Sequence, residues 1–196
     1  VTQEIEATFL HIQPDTIRNK LEHLAARCIY PERLMRREAF DYEDLSLGKK
    51  GAWIRVRDEI DKVTVTFKRV SGNRIDDVEE IEFSVDNFEN VSRFLQSIGL
   101  RKKAYQETKR EQWDLNQVQI TIDTWPGLRP FMEIEGRNKA EVQRTATKLG
   151  LDYEQALFGA VDVVYQRELG IPPEVINHQT PVLTFQNPPQ KYSKDG

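Results

Sequence analysis

The chain has 196 residues, with 28 Lys and Arg against 32 Asp and Glu. That length allows one sizeable core, and the near balance of charge gives no global positive field of the kind that marks a nucleic-acid-binding domain. A single cysteine, Cys28, excludes an intramolecular disulfide framework and a Cys-based zinc site, and His11, His23 and His178 lack metal-ligand spacing, so oxygen ligands are what remains for a metal. No apolar run approaches the roughly 18 residues that span a bilayer and no charged-then-apolar leader opens the chain, so a cytoplasmic protein without a membrane partner is expected.

In chain order, residues 2–12 alternate as a strand. Asp15 then reads as the N-cap of an amphipathic helix carrying Ile17, Leu21, Leu24 and Ala25, with Cys28 taken as a small buried hydrophobe on it. A strand around 33–42 leads to the turn Gly48-Lys49-Lys50-Gly51. That turn lacks the longer glycine spacing and the Ser or Thr of a phosphate loop and reads as a plain hairpin. Strands near 52–59, 62–70 and 78–86 form a meander, and Asn87 caps a helix through Phe88, Val91, Phe94, Leu95 and Ile98 that Gly99 ends. Strands near 103–114, 117–124 and 130–136 follow, turning at Asn116-Gln117 and Trp125-Pro126-Gly127, and helices over 138–150 and 153–169 close the series. From Ile171 the chain is rich in Pro, Gln and Asn and poor in large apolar residues, so the division expected is a domain over 1–170 and a docked or disordered Pro-rich tail over 171–196.

The count gives an α+β fold, a closed eight-stranded antiparallel barrel with helices packed outside. The phase of the strands decides what lies within. Side chains alternate across a strand. Glu4-Ile5-Glu6, Glu80-Ile81-Glu82 and Glu133-Ile134-Glu135 each set two carboxylates on one face, and Arg55-Val56-Arg57 and Lys68 repeat the arrangement with the opposite sign. Helices can cover only the apolar face, which places Ile5, Ala7, Phe9, Ile54, Val56, Phe67, Ile81, Phe83, Val118, Ile120 and Ile122 outside and the charges inside. Such an interior is too costly to dehydrate unless it is wet or its charges are paired with ions and a ligand.

The ordered set Glu4/Glu6, Arg55/Arg57, Lys68, Glu80/Glu82, Arg110, Asp123 and Glu133/Glu135 closely resembles the CYTH family of triphosphate tunnel metalloenzymes, over about Glu4 to Gly136. The resemblance implies that Arg55, Arg57, Lys68 and Arg110 bind substrate phosphates. It implies that Glu4, Glu6, Glu80, Glu82, Asp123, Glu133 and Glu135 hold Mg²⁺ or Mn²⁺, with Glu4, Glu6, Glu82 and Glu133 catalytic. Carboxylates are hard ligands suited to those ions, and guanidinium forks match phosphate oxygens. Two positions depart from the family pattern: Thr8 stands where the first strand commonly carries a lysine, and Thr108 stands two residues before Arg110 where another is usual, Lys109 facing away by parity. Lys49 and Lys50, or Arg36 and Arg37, are the cations that could compensate from the rim.

Three activities fit. The first is a metal-dependent triphosphatase acting on inorganic, nucleoside or thiamine triphosphate; the second is a class IV adenylyl cyclase; the third is a non-catalytic polyphosphate or nucleotide sensor, kept open by the two threonines. The expected partner is a small-molecule triphosphate, with the chain a monomer or a homodimer. Trp53 and Trp113 are assigned to packing rather than to stacking on a base.

Overall fold

The computed structural model describes residues 2–72 and 77–191, residues 2–4 by their backbone alone. The strands are β1 (Thr2–Glu4), β2 (Glu6–Phe9), β3 (Arg27–Asp41), β4 (Ala52–Asp58), β5 (Val63–Val70), β6 (Val78–Val85), β7 (Arg101–Leu115), β8 (Val118–Thr124), β9 (Phe131–Glu135) and β10 (Val182–Leu183). The helices are α1 (Pro14–His23), α2 (Phe88–Ser97), α3 (Lys139–Lys148), α4 (Val161–Leu169) and α5 (Pro173–His178). One sheet runs in the order β1-β6-β5-β4-β3-β7-β8-β9-β2, with β10 added parallel to β7.

Hairpin alternation fixes the register. Arg55 lies opposite Thr66, and Thr66 opposite Glu82; Arg110 lies opposite Asp123, and Thr121 opposite Glu133. Because register preserves parity, the charged residues of successive strands share one face. The sheet curls, and the first segment joins its two ends. Thr2 to Glu4 pair with Glu80 to Val78, and after a break at Ile5, Glu6 to Phe9 pair with Glu135 to Met132. The other edge of β2 meets not β6 but a strip before α4: the Thr8 amide donates to the Leu157 carbonyl at 3.0 Å and the Leu157 amide returns the bond at 2.9 Å. The barrel expected from the sequence is therefore found as a curled antiparallel sheet whose seam is short and partly filled by residue 157.

The outward face carries the core. Ile17 and Leu21 of α1 and Val142, Ala146 and Leu149 on α3 and its end pack on Ala7, Phe9, Trp113, Ile120, Ile122, Met132 and Ile134. Phe88 and Leu95 of α2 pack with Phe40, Val56 and Val65. Tyr165 of α4, Ile171, Ile176 and Leu183 enclose Trp125 and Phe131, and the Tyr165 hydroxyl donates to the Pro126 carbonyl at 2.8 Å. The segment after 170 is thus docked through Leu183. Asn87 and Asn138 cap α2 and α3, each side chain accepting from the amide three residues on.

Several local expectations are corrected. Helix α1 starts with Pro14 at its first turn, a position where the missing N–H costs nothing, and Asp15 bonds Arg18 at 2.7 Å rather than capping. It also stops early, for Ala25 has a φ of 56°. Strand β3 consequently begins at Arg27, and Cys28 is an exposed strand residue. The helix expected over 153–169 is broken into a single 3-10 turn at Tyr153–Gln155 and α4, because residues 156–160 are spent on the bridge to β2. Ile81 and Phe83 face outward as expected but lie exposed. Among the described residues no helix is long and apolar enough to cross a membrane.

Candidate functional site

The inner face of the curled sheet encloses a cavity of about 710 Å³, lined by Glu6, Arg37, Arg55, Arg57, Lys68, Glu80, Glu82, Arg110, Glu133 and Glu135 among others. One wall is basic. Arg55 and Arg57 alternate inward from β4; the Arg55 Nη2 donates to Thr66 Oγ1 at 3.1 Å and to Glu82 at 3.4 Å, while its buried Nε has no partner among the described residues. Arg57 donates to Glu59 at 2.8 Å and sits 3.8 Å from Glu82, and Lys68 is 3.6 Å from Glu80. Burial, reinforced by Arg55 and Arg110, lowers the Arg57 pKa to about 10. The carboxyl of Glu82 is held below its ordinary value although burial opposes this, because Arg57, the Thr66 hydroxyl and Arg55 favour the anion.

The opposite wall is acidic. Arg110 donates from Nε to Asp123 at 2.6 Å and from Nη2 to Asp123 at 2.9 Å and to Glu133 at 2.7 Å. The Thr121 hydroxyl donates to Asp123 at 2.7 Å, and Gln119 donates to Glu135 at 2.9 Å. Burial pushes the Glu133 carboxyl well above its ordinary range, and the nearby charges of Glu6 and Asp123 push it further. Burial pulls the Arg110 guanidinium down, but Asp123 and Glu133 outweigh it and hold the group well above its ordinary value. Among the described residues no three His, Cys, Asp or Glu side chains stand in a ready metal cage.

The structure brings together on one face ten of the eleven residues singled out from the sequence: Glu6, Arg55, Arg57, Lys68, Glu80, Glu82, Arg110, Glu133 and Glu135 line the cavity, and Asp123 lies beneath Arg110. The backbone of Glu4 pairs with Val78, but its side chain lies outside the described residues. Of the four candidate compensating cations, Lys49 and Lys50 are exposed in a turn that Gly51 closes with a φ of 67°, and Arg36 points outward to Asp58 and Glu89. Arg37 points inward. The cavity also takes Glu59, Trp125, Lys103 and His178, which the motif reading did not use. Lys103 is the extra residue where the β3–β7 register shifts between Ala39 and Phe40, a bulge that redirects its amine to 3.5 Å from His178 Nδ1. Trp113 packs in the core with its indole N–H on Glu111 at 2.7 Å.

Comparison with known proteins agrees with this picture. The CYTH domain family matches residues 40–162. No curated protein sequence matches the chain. Among solved structures, an adenylate cyclase candidate from Vibrio parahaemolyticus is 14% identical with a TM-score of 0.71 over 84% of this chain and 98% of its own. A conserved hypothetical protein from Pyrococcus furiosus is 21% identical with a TM-score of 0.64, covering 78% and 94%. An adenylyl cyclase candidate from Hippeastrum, described as having a dominant triphosphatase activity, is 16% identical with a TM-score of 0.56, covering 87% and 98%.

Proposed function

The chain belongs to the CYTH domain family, and we propose that it is a divalent-metal-dependent phosphohydrolase that binds a triphosphate in the charged cavity, the curled sheet working as a closed tunnel. The observation that carries this reading is that one cavity gathers the bases Arg37, Arg55, Arg57, Lys68 and Arg110 with the acids Glu6, Glu80, Glu82, Glu133 and Glu135. A polyanion and a cation are the complementary occupants.

In phosphoryl transfer the protein does little covalent chemistry; positioning and charge neutralisation supply most of the catalysis. Arg55 holds Glu82 loosely at 3.4 Å, and Arg57, anchored on Glu59 at 2.8 Å, is 3.8 Å from Glu82, so the Arg55 fork can turn to phosphate oxygens while Arg57 presents its charge from a fixed position. Lys68 adds a point charge on the neighbouring strand. Glu6 and Glu133, crowded and half-buried, form a site whose mutual repulsion a divalent cation relieves, so the donor set fits the metal. The residues that would hold Mg²⁺ or Mn²⁺ are Glu6, Glu80, Glu82, Asp123, Glu133 and Glu135 together with Glu4, and the ion when bound supplies neutralisation of phosphate charge and polarisation of the attacking water. Arg110 must loosen its hold on Asp123 and Glu133 for those acids to serve, and that clamp is the one observation favouring a binding protein without turnover.

The test is a product-resolved assay with Mg²⁺ or Mn²⁺ against tripolyphosphate, ATP and thiamine triphosphate. Orthophosphate release supports the hydrolase, pyrophosphate with cyclic AMP replaces it by the cyclase, and tight binding without product replaces both by the sensor. Glu133→Gln is expected to lower metal-dependent turnover by about 1000-fold, the loss of several kcal/mol of charge stabilisation. Unchanged turnover removes Glu133 from the mechanism.

A further inference from the structure

Thr8 and Thr108, both buried, contribute no cation where the family pattern carries two, yet the cavity is not short of positive charge. Arg36 and Arg37 are adjacent on β3, so alternation sends them to opposite faces. Arg36 is satisfied outside by Asp58 at 3.0 Å and Glu89 at 2.9 Å. Arg37 lies inside, directly opposite Arg57 on β4 and Gln106 on β7.

Its surroundings are unlike those of the other guanidinium groups. Arg55, Arg57 and Arg110 each have a carboxylate within 4 Å; Arg37 has none among the described residues. Its Nε donates to Gln106 Oε1 at 2.8 Å and its guanidinium lies 3.9 Å over the Trp125 ring, which Tyr165 meets edge-on. These contacts fix the plane of the fork without neutralising it. They leave both Nη groups without a protein partner among the described residues. The charges nearest to it are Arg55, Arg57 and Arg110, and burial with their repulsion holds its pKa well below the ordinary value. A half-buried cation without a carboxylate among the described residues, set against like charge, is unfavourable in the empty protein, and such a group persists where an anion completes it.

We propose that Arg37 is a substrate-contacting residue that grips a phosphate oxygen of a linear triphosphate, supplying from β3 the positive charge absent from positions 8 and 108. This rests on the reading of the cavity as a triphosphate site. Held flat on Trp125 and keyed by Gln106, the fork is already organised for a bidentate contact, so little side-chain entropy is lost on binding. The ligand class that fits is a chain of phosphates long enough to reach from Arg55 and Arg57 to β3, and the inference adds Arg37 to the residues that select for it.

The experiment measures binding of tripolyphosphate in the presence of Mg²⁺ by calorimetry, and thermal unfolding of the ligand-free protein, for the unmodified chain and for Arg37→Met. Loss of affinity by about 10- to 100-fold, with a ligand-free melting temperature equal to or above that of the unmodified chain, is the expected result. A purely structural cation would move both quantities down, and for that outcome Arg37→Lys decides: recovered affinity supports the contact and unrecovered affinity overturns it. Unchanged affinity in Arg37→Met overturns the inference while leaving the triphosphate site intact. If the unmodified chain binds no tripolyphosphate, the reading of the site fails and this inference with it.

Discussion

The two walls of the cavity solve the problem of buried charge in different ways. On the acidic side one guanidinium, Arg110, ties Asp123 and Glu133 into a group with Thr121, so these two acids have a counter-charge within the protein. On the basic side, among the described residues, Arg37 has no carboxylate within ion-pair distance and Arg55 has a buried Nε without a partner, while Arg57 is paired through Glu59. The difference teaches that the ligand-free protein is incomplete mainly on β3 and β4. An anion entering the cavity finds donors already free, whereas a cation must compete with Arg110 for its ligands.

Breaking the acidic group should have the largest effect. Removing one partner of a buried ionic cluster leaves the other charges uncompensated, at a cost of about 3–5 kcal/mol. Arg110→Met is accordingly expected to lower the melting temperature sharply in the absence of metal. Because the acids it frees are those proposed to bind the ion, added Mg²⁺ or Mn²⁺ should raise the melting temperature more in the variant than in the unmodified chain. Equal metal-induced shifts in the two proteins would detach these acids from metal binding.

A smaller effect separates the two neighbouring arginines of the basic wall. Arg57→Met leaves the buried Glu59 with the Thr64 hydroxyl at 3.3 Å and the more distant cations Lys62 at 3.6 Å and Arg33 at 3.5 Å, so it should lose stability by about 1–3 kcal/mol as well as triphosphate affinity. Arg37→Met abandons no acid. Denaturant unfolding of the pair measured side by side sharpens the contrast, and equal destabilisation would show that the walls are not divided as described.

Much of this was legible in the sequence where alternation was clean. In β9, Glu133 and Glu135 flank Ile134, which is fully buried on the outer side, and in β4, Arg55 and Arg57 flank the equally buried Val56; phase alone set those side chains. β3 gave no such signal. It carries charge at Arg36, Arg37 and Glu38 in succession, and its buried apolar residues Met35 and Phe40 have opposite parity, so neither face of the strand reads as the apolar one. The extra residue of β7 at the shift between Ala39 and Phe40 hid Lys103, whereas Arg37 was legible as a candidate cation without the face it takes. The incomplete seam was equally invisible, because the bridge from Thr8 to Leu157 joins residues far apart in sequence and follows no periodicity. The docking of the segment after Ile171 depends on isolated apolar residues, Ile171, Ile176 and Leu183, set among Pro, Gln and Asn.

The smallest expected effect lies where that segment meets the cavity. His178 faces Lys103 from the β7 bulge and Asp41 from β3, with Glu174 on its own helix, and it packs so near Gly48 that a Cβ there would fall 3.2 Å from the ring. Burial and the Lys103 charge lower its pKa below the ordinary 6.5, against the opposing pull of Asp41 and Glu174. In the window between 6.5 and the lowered folded value the unfolded chain binds more protons than the folded one, so stability rises with pH there. The contribution of His178 is therefore fully present above that window and is lost as the pH falls through it. His178→Gln should flatten the fall in melting temperature below pH 6.5 relative to the unmodified chain, while Lys103→Met, which removes the repulsion, should flatten it in part. A profile unchanged by His178→Gln would mean that the ring is not held neutral by this corner and that the acid sensitivity comes from the carboxylates of the cavity.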